Sequence, residues 1–170
     1  AAAMAAGQRL DDALRQYLAE RGAKTVPLAA VTALATGAAR LRLAGTAVKR
    51  LHQGAADDHA AHDGLRRPGE VLGERARRIS DWYAALGRSF LEPGPLSPVD
   101  PAEAATETGE SFLELVLPEV DRCPEPEAAT HAEQLLWAGQ YVGDVDQLRG
   151  YLVEPAGRVA DVRHRPWWRR

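Results

Sequence analysis

Two histidines three residues apart, flanked by carboxylates, make Asp57-Asp58-His59-Ala60-Ala61-His62-Asp63 the segment of this sequence with metal-ligand chemistry in it. On a helix His59 and His62 would share a face, and Asp58 or Asp63 would add oxygen ligands. The same Ala-, Asp- and Gly-rich composition also describes a solvated connection, and no paired Glu-x-x-His motif stands elsewhere to complete a centre. The expectation is therefore no bound metal and no cofactor. Nucleophile chemistry finds less support. Cys123 precedes Pro124, His131 lies eight residues further on, and neither Ser80 nor Ser89 sits in a Gly-x-Ser-x-Gly context. Phosphate-binding loops and dinucleotide fingerprints are missing as well. These residues point away from an enzyme.

Charge is sorted along the chain. Residues 1–91 carry 14 Lys/Arg against 9 Asp/Glu, residues 92–154 carry 2 against 14, and residues 155–170 carry 5 against 1, so the net charge of −3 hides an acidic segment between two basic ones. Such sorting speaks to surfaces and partners. Arg66, Arg67, Arg75, Arg77 and Arg78 form a basic patch, but no aromatic residues interleave with it for base stacking. Pairing with the acidic C-terminal helices accounts for it more simply, and no nucleic-acid partner is expected. The end of the chain differs. Arg163, Arg165, Trp167, Trp168, Arg169 and Arg170 combine an interfacial aromatic pair with positive charge, which suits an anionic membrane surface or another partner. Folding back onto the bundle, or a disordered end, are the competing readings.

All of these residues must be positioned by helices. The chain has 170 residues, 45% of them hydrophobic and only 6% aromatic, with abundant Ala; that composition favours helix over sheet. Leu10, Leu14, Tyr17 and Leu18 mark a first helix over about residues 8–21, with residues 1–7 a disordered or cloning-derived start. From Pro27 a long helix should run to Gly54. Its stripe Val31, Leu34, Ala38, Leu41, Gly45, Val48 has a 3.5-residue period, the seam of a helix packed lengthwise on another, with Ala38 and Gly45 permitting close approach. A third helix over Glu70–Leu91 buries Ile79, Trp82 and Leu86. The Pro-rich stretch 92–101 is a semi-rigid connection. A fourth helix starts near Pro101 or Ala102, carries Phe112, and kinks or ends around Pro118. The fifth runs from Glu127 to Glu154 with Leu135 and Val142 inside, stopped by Pro155, so that residues 156–170 form a basic tail. The fold expected is all-α, a single antiparallel bundle of about five helices. Its longest stretch without charge, Thr25–Ala39, is 15 residues, short of the roughly 20 that cross a bilayer. Cys123 is the single cysteine, which agrees with a reducing compartment. Only Lys24 and Lys49 among the 21 basic residues are lysine, a bias that reads as high genomic G+C.

Through Arg9-Leu10-Asp11-Asp12-Ala13-Leu14-Arg15-Gln16-Tyr17-Leu18-Ala19-Glu20-Arg21-Gly22-Ala23-Lys24, then Val26-Pro27-Leu28 and the Ala/Leu/Arg helix, the chain resembles the soluble C-terminal part of fusaric-acid-resistance-like integral membrane proteins of high-G+C bacteria. The stretch from Leu136-Trp137 to Leu152 is similar to the closing helix of such proteins. The resemblance implies a non-enzymatic helical domain at the cytoplasmic face of the inner membrane, excised from a longer chain whose membrane-embedded remainder exports aromatic or other organic acids. Its partners would be that remainder, an anionic membrane surface, or a second copy in a homo-oligomer. No transport residue carries over, because those belong to the membrane part. Two other readings stand beside this one: a soluble helical ligand-binding or regulatory module unrelated to a membrane protein, and a metal-dependent helical enzyme centred on His59 and His62.

Overall fold

The structure is a computed structural model that describes residues 2–20, 26–56, 63–90, 112–122 and 126–164. Within them the chain forms five helices and no strand: α1 (Ala2–Ala19), α2 (Leu28–Ala56), α3 (Asp63–Ser89), α4 (Phe112–Arg122) and α5 (Pro126–His164). The all-α bundle expected from composition is present. At 39 residues α5 extends about 58 Å, and α2, α3 and α4 all pack on it, while α1 packs on α2.

Side-chain register fixes the directions. Gly37 of α2 faces Leu152, and Ala44 and Ala47 share a crevice with Val145 and Leu148, so α2 runs antiparallel to α5. Leu65 clusters with Ala132, Arg75 pairs with Asp146 and Trp82 lies against Arg149, so α3 runs parallel to it. Phe112 lies on Gly139 and Val116 on Ala132, which makes α4 antiparallel. From α2 onward each helix is thus antiparallel to the next in sequence.

The helix starts have local causes. Pro27, which lacks an N–H to satisfy, caps α2 by accepting from the amides of Ala30 (3.0 Å) and Val31 (3.2 Å). Helix α1 begins at Ala2, not near residue 8. The Ala-rich start, expected to lie outside the fold, has the highest intrinsic helix propensity and simply continues the helix.

Three prolines lie inside helices: Pro68, Pro118, where a kink or an end is expected, and Pro155, expected to stop the last helix. Helix α3 starts seven residues before Glu70 and contains Pro68; α4 runs four residues beyond Pro118; α5 runs nine beyond Pro155. An interior proline costs about 3 kcal/mol through its lost N–H and its clash with the preceding turn, so packing must offset it. It does so visibly after Pro155, where Ala156 (0% exposed) and Ala160 (4%) are buried at the level where the antiparallel register brings α2 alongside near Ala30, itself buried. Residues 156–164 therefore belong to α5 and not to a tail.

The core is made of small contacts. Leu65, Val116 and Ala132 form one cluster, with Phe112, Val120, Leu135 and Leu136 packed around it; Leu72, Ile79 and Val142 form a second. Of the residues expected inside, Ile79, Trp82 and Val142 are buried, whereas Leu34, Leu41, Leu86, Phe112 and Leu135 are half-buried. On α2 the close approach occurs at Gly37 and not at Gly45. A Cβ at Gly37 would sit 2.6 Å from Leu152 Cδ2, while Gly45 is exposed with no atom within 4 Å of that position. The contact stripe of α2 is rotated from the expected seam towards its Ala and Gly residues.

Candidate functional site

Helices α2 and α3 both lean on α5 but scarcely touch each other, and the gap between them is a cavity of about 390 Å³ open to solvent. Leu41 and Val48 form one wall, Ile79 and Tyr83 the other, and Tyr141 and Val142 the floor. The walls follow from periodicity, because Leu41 and Val48 are seven residues apart on α2 and Ala76, Ile79 and Tyr83 recur at three and four on α3. The volume lies in the range of small-molecule pockets and the lining is nearly all apolar. Its described residues include no carboxylate, imidazole, thiol or ammonium; the polar groups on it are the Tyr83 and Tyr141 phenols and the Ser80 hydroxyl. What this groove can do is bury apolar surface.

Behind one wall lies a polar cluster. Asp146 Oδ2 accepts from Arg75 Nη2 at 3.0 Å, and its Oδ1 faces the Arg149 guanidinium one turn along α5. Arg149 is only 8% exposed, and its guanidinium carbon lies 5.7 Å from the centre of the Trp82 ring, within cation–π range. Trp82 in turn meets Tyr83 edge to face, with centroids 4.9 Å apart at 88°. Tyr83, which lines the groove, donates its hydroxyl to the Val145 carbonyl at 2.9 Å. The cluster thus locks α3 to α5 and fixes the angle at which the groove opens.

Burial pushes the Tyr83 phenol above the ordinary tyrosine range; the Arg149 charge works against this shift and the Asp146 charge adds to it. An acid that keeps its proton longer in the folded state than in the unfolded one contributes stability that is fully present below the unfolded pKa and is lost as pH rises above it. Stability should therefore fall above about pH 10, the unfolded tyrosine value. Denaturant melts at pH 9 to 11 on the native protein and on Tyr83→Phe check this: the variant should show a flatter alkaline limb, and equal slopes would remove Tyr83 as its cause.

The residues singled out from sequence are not drawn together. Asp57, Asp58, His59 and His62 lie outside the described residues, as do Cys123, Arg165, Trp167, Trp168, Arg169 and Arg170; of Asp63 and Arg163 only the helical backbone at the ends of α3 and α5 is described. Among the described residues no group of three His, Cys, Asp or Glu side chains is placed to hold a metal ion. His131 is half-buried on α5, Ser80 stands at the exposed rim of the groove, and the Ser89 hydroxyl donates to the Leu86 carbonyl at the end of α3. Of the basic patch, Arg75 reaches across to α5, as charge complementarity suggested; Arg66 and Arg77 pair within α3 with Glu70 and Glu74. No described helix is long and apolar enough to cross a membrane. The groove itself was missed from sequence. Its signal was the half-apolar seam of α2, whose Leu41, Gly45 and Val48 were read as covered when they border a gap. Comparison with protein-family models, with curated proteins and with solved structures finds no match to the chain.

Proposed function

We propose that this chain is a non-enzymatic helical domain of a longer, transporter-like integral membrane protein, acting in assembly, regulation or partner contact at the cytoplasmic face of the membrane. The observation that carries the contact role is the open apolar groove between α2 and α3, a surface suited to receive a helix or ligand and lined by no carboxylate, imidazole, thiol or ammonium among the described residues. The membrane attachment rests on the resemblance through Arg9–Lys24 and Leu136–Leu152, and on the Arg163–Arg170 segment, whose tryptophans and arginines suit anionic headgroups. The same groove also favours a second reading, a soluble ligand-binding or regulatory module.

Fractionation of the native host separates the two. An antibody raised against the 170-residue domain should detect a polypeptide well above 18.4 kDa that stays in the membrane pellet after alkaline carbonate washing. Recovery of the antigen as an 18.4 kDa species in the supernatant would replace the first reading by the second.

A further inference from the structure

On the side of α2 and α5 away from α3, the two helices carry matching stripes. Arg40, Leu43, Ala47 and Arg50 on α2 are spaced three, four and three residues apart, and so are Asp144, Gln147, Tyr151 and Glu154 on α5. Such spacing keeps each set on one helix face. All but the half-buried Ala47 are exposed, Leu43 at 70% and Tyr151 at 72%, and between the stripes runs a crevice of about 640 Å³ floored by Tyr141 and Leu148. One stripe ends in two arginines ten residues apart, the other in two carboxylates ten residues apart, each pair about 15 Å from end to end.

We infer that this face is a homodimer interface whose occupant is a second copy of the same chain. The antiparallel register set by Gly37 against Leu152 puts Arg40 two residues from level with Tyr151 and Ala47 two residues from level with Asp144. A two-fold axis lying in the interface and parallel to the helices lays α2 of one protomer on α5 of the other at that same register. Arg50 then lies five residues, about 7.5 Å of rise, from the level of the partner subunit's Asp144, and Arg40 the same distance from the level of the partner subunit's Glu154, offsets that an extended arginine side chain spans. Leu43 meets the partner's Gln147 between those charges. Because the interface is isologous, each contact occurs twice.

The charges are available for this role. Among the described residues neither Arg40 nor Arg50 makes an ion pair, and Asp144 accepts only from the neutral amide of Gln140 at 2.9 Å. Glu154 is paired only with Arg158 on its own helix, in a bridge whose side chains are 73% and 55% exposed, an arrangement worth little and readily exchanged. The inference does not depend on membrane attachment.

A charge-swap series with light scattering on the 170-residue chain tests it. The native protein should approach twice 18.4 kDa as concentration rises. Arg40→Glu/Arg50→Glu sets acid against acid at all four contacts, Asp144→Arg/Glu154→Arg sets base against base, and each double variant should dimerise about a hundredfold more weakly. Mixed together they should regain the doubled mass, since every contact in the heterodimer is again of opposite sign; high salt should weaken the restored species. Circular dichroism on each variant identifies loss of fold, in which case the single substitutions Arg50→Glu and Asp144→Arg carry the same test. A native protein that is monomeric at every accessible concentration overturns the inference and leaves the face to a different partner, and so does a dimer that the reversals leave intact or that mixing fails to restore.

Discussion

Replacing Asp146 by alanine is expected to destabilise the bundle by about 3–5 kcal/mol, because it strips the counter-charge from a buried arginine. Arg149 is 8% exposed and has Asp146 as its carboxylate. The face of Trp82 and a long 3.4 Å contact to the Asp146 carbonyl do not neutralise it. Arg75, whose side chain is 43% exposed, relaxes into solvent and adds little. Urea melts followed by circular dichroism measure the loss, and Asp146→Ala combined with Arg149→Met should recover most of it by removing the stranded charge. A single-mutant cost below about 1 kcal/mol would mean that water reaches the guanidinium and that the cluster does not hold α3 in place.

The second large effect is expected at Gly37. A leucine there must displace Leu152, which is 4% exposed and whose Cδ atoms would lie 2.6 and 2.9 Å from the new Cβ. Since Leu152 is packed directly on Gly37, overpacking should cost about 3 kcal/mol. Gly45→Ala supplies the control: nothing surrounds that position, so replacing a mid-helix glycine should raise stability by about 1 kcal/mol. Thermal melts of the two variants should move in opposite directions. Similar losses at both would place Gly45, not Gly37, against α5.

These two sites show which parts of the molecule the sequence made legible. Periodicity located every helix that the described residues contain, because an amphipathic stripe is a local property: Ile79 and Trp82 on α3 and Val142 on α5 were found that way. Pro155 misled, since it carries a local penalty whose compensation lies on another helix. The bury of Ala156 and Ala160 that carries α5 past Pro155 depends on where α2 runs. Apolar bulk misled in the opposite direction on α2, where the tight contact belongs to Ala30 and Gly37, and Leu41 borders open space. The groove was invisible for the same reason. It is the space between two helices that share a neighbour without meeting, and its width follows from Arg75, Asp146, Arg149 and Trp82, of which Arg75 and Asp146 lie 71 residues apart.

Helix α1 meets the rest of the protein through α2. Its attachments include a 3.8 Å ion pair from Asp11 to Arg42 and the hydrogen bond from the Tyr17 hydroxyl to the Val26 carbonyl, and Leu18 is half exposed. Helix α5, by contrast, is held by three neighbours at once. The molecule therefore has two levels of cooperativity: α1 can peel away and re-form as its own unit, with its amides open to exchange, while the amides at the centre of α5 are released only when the whole bundle comes apart.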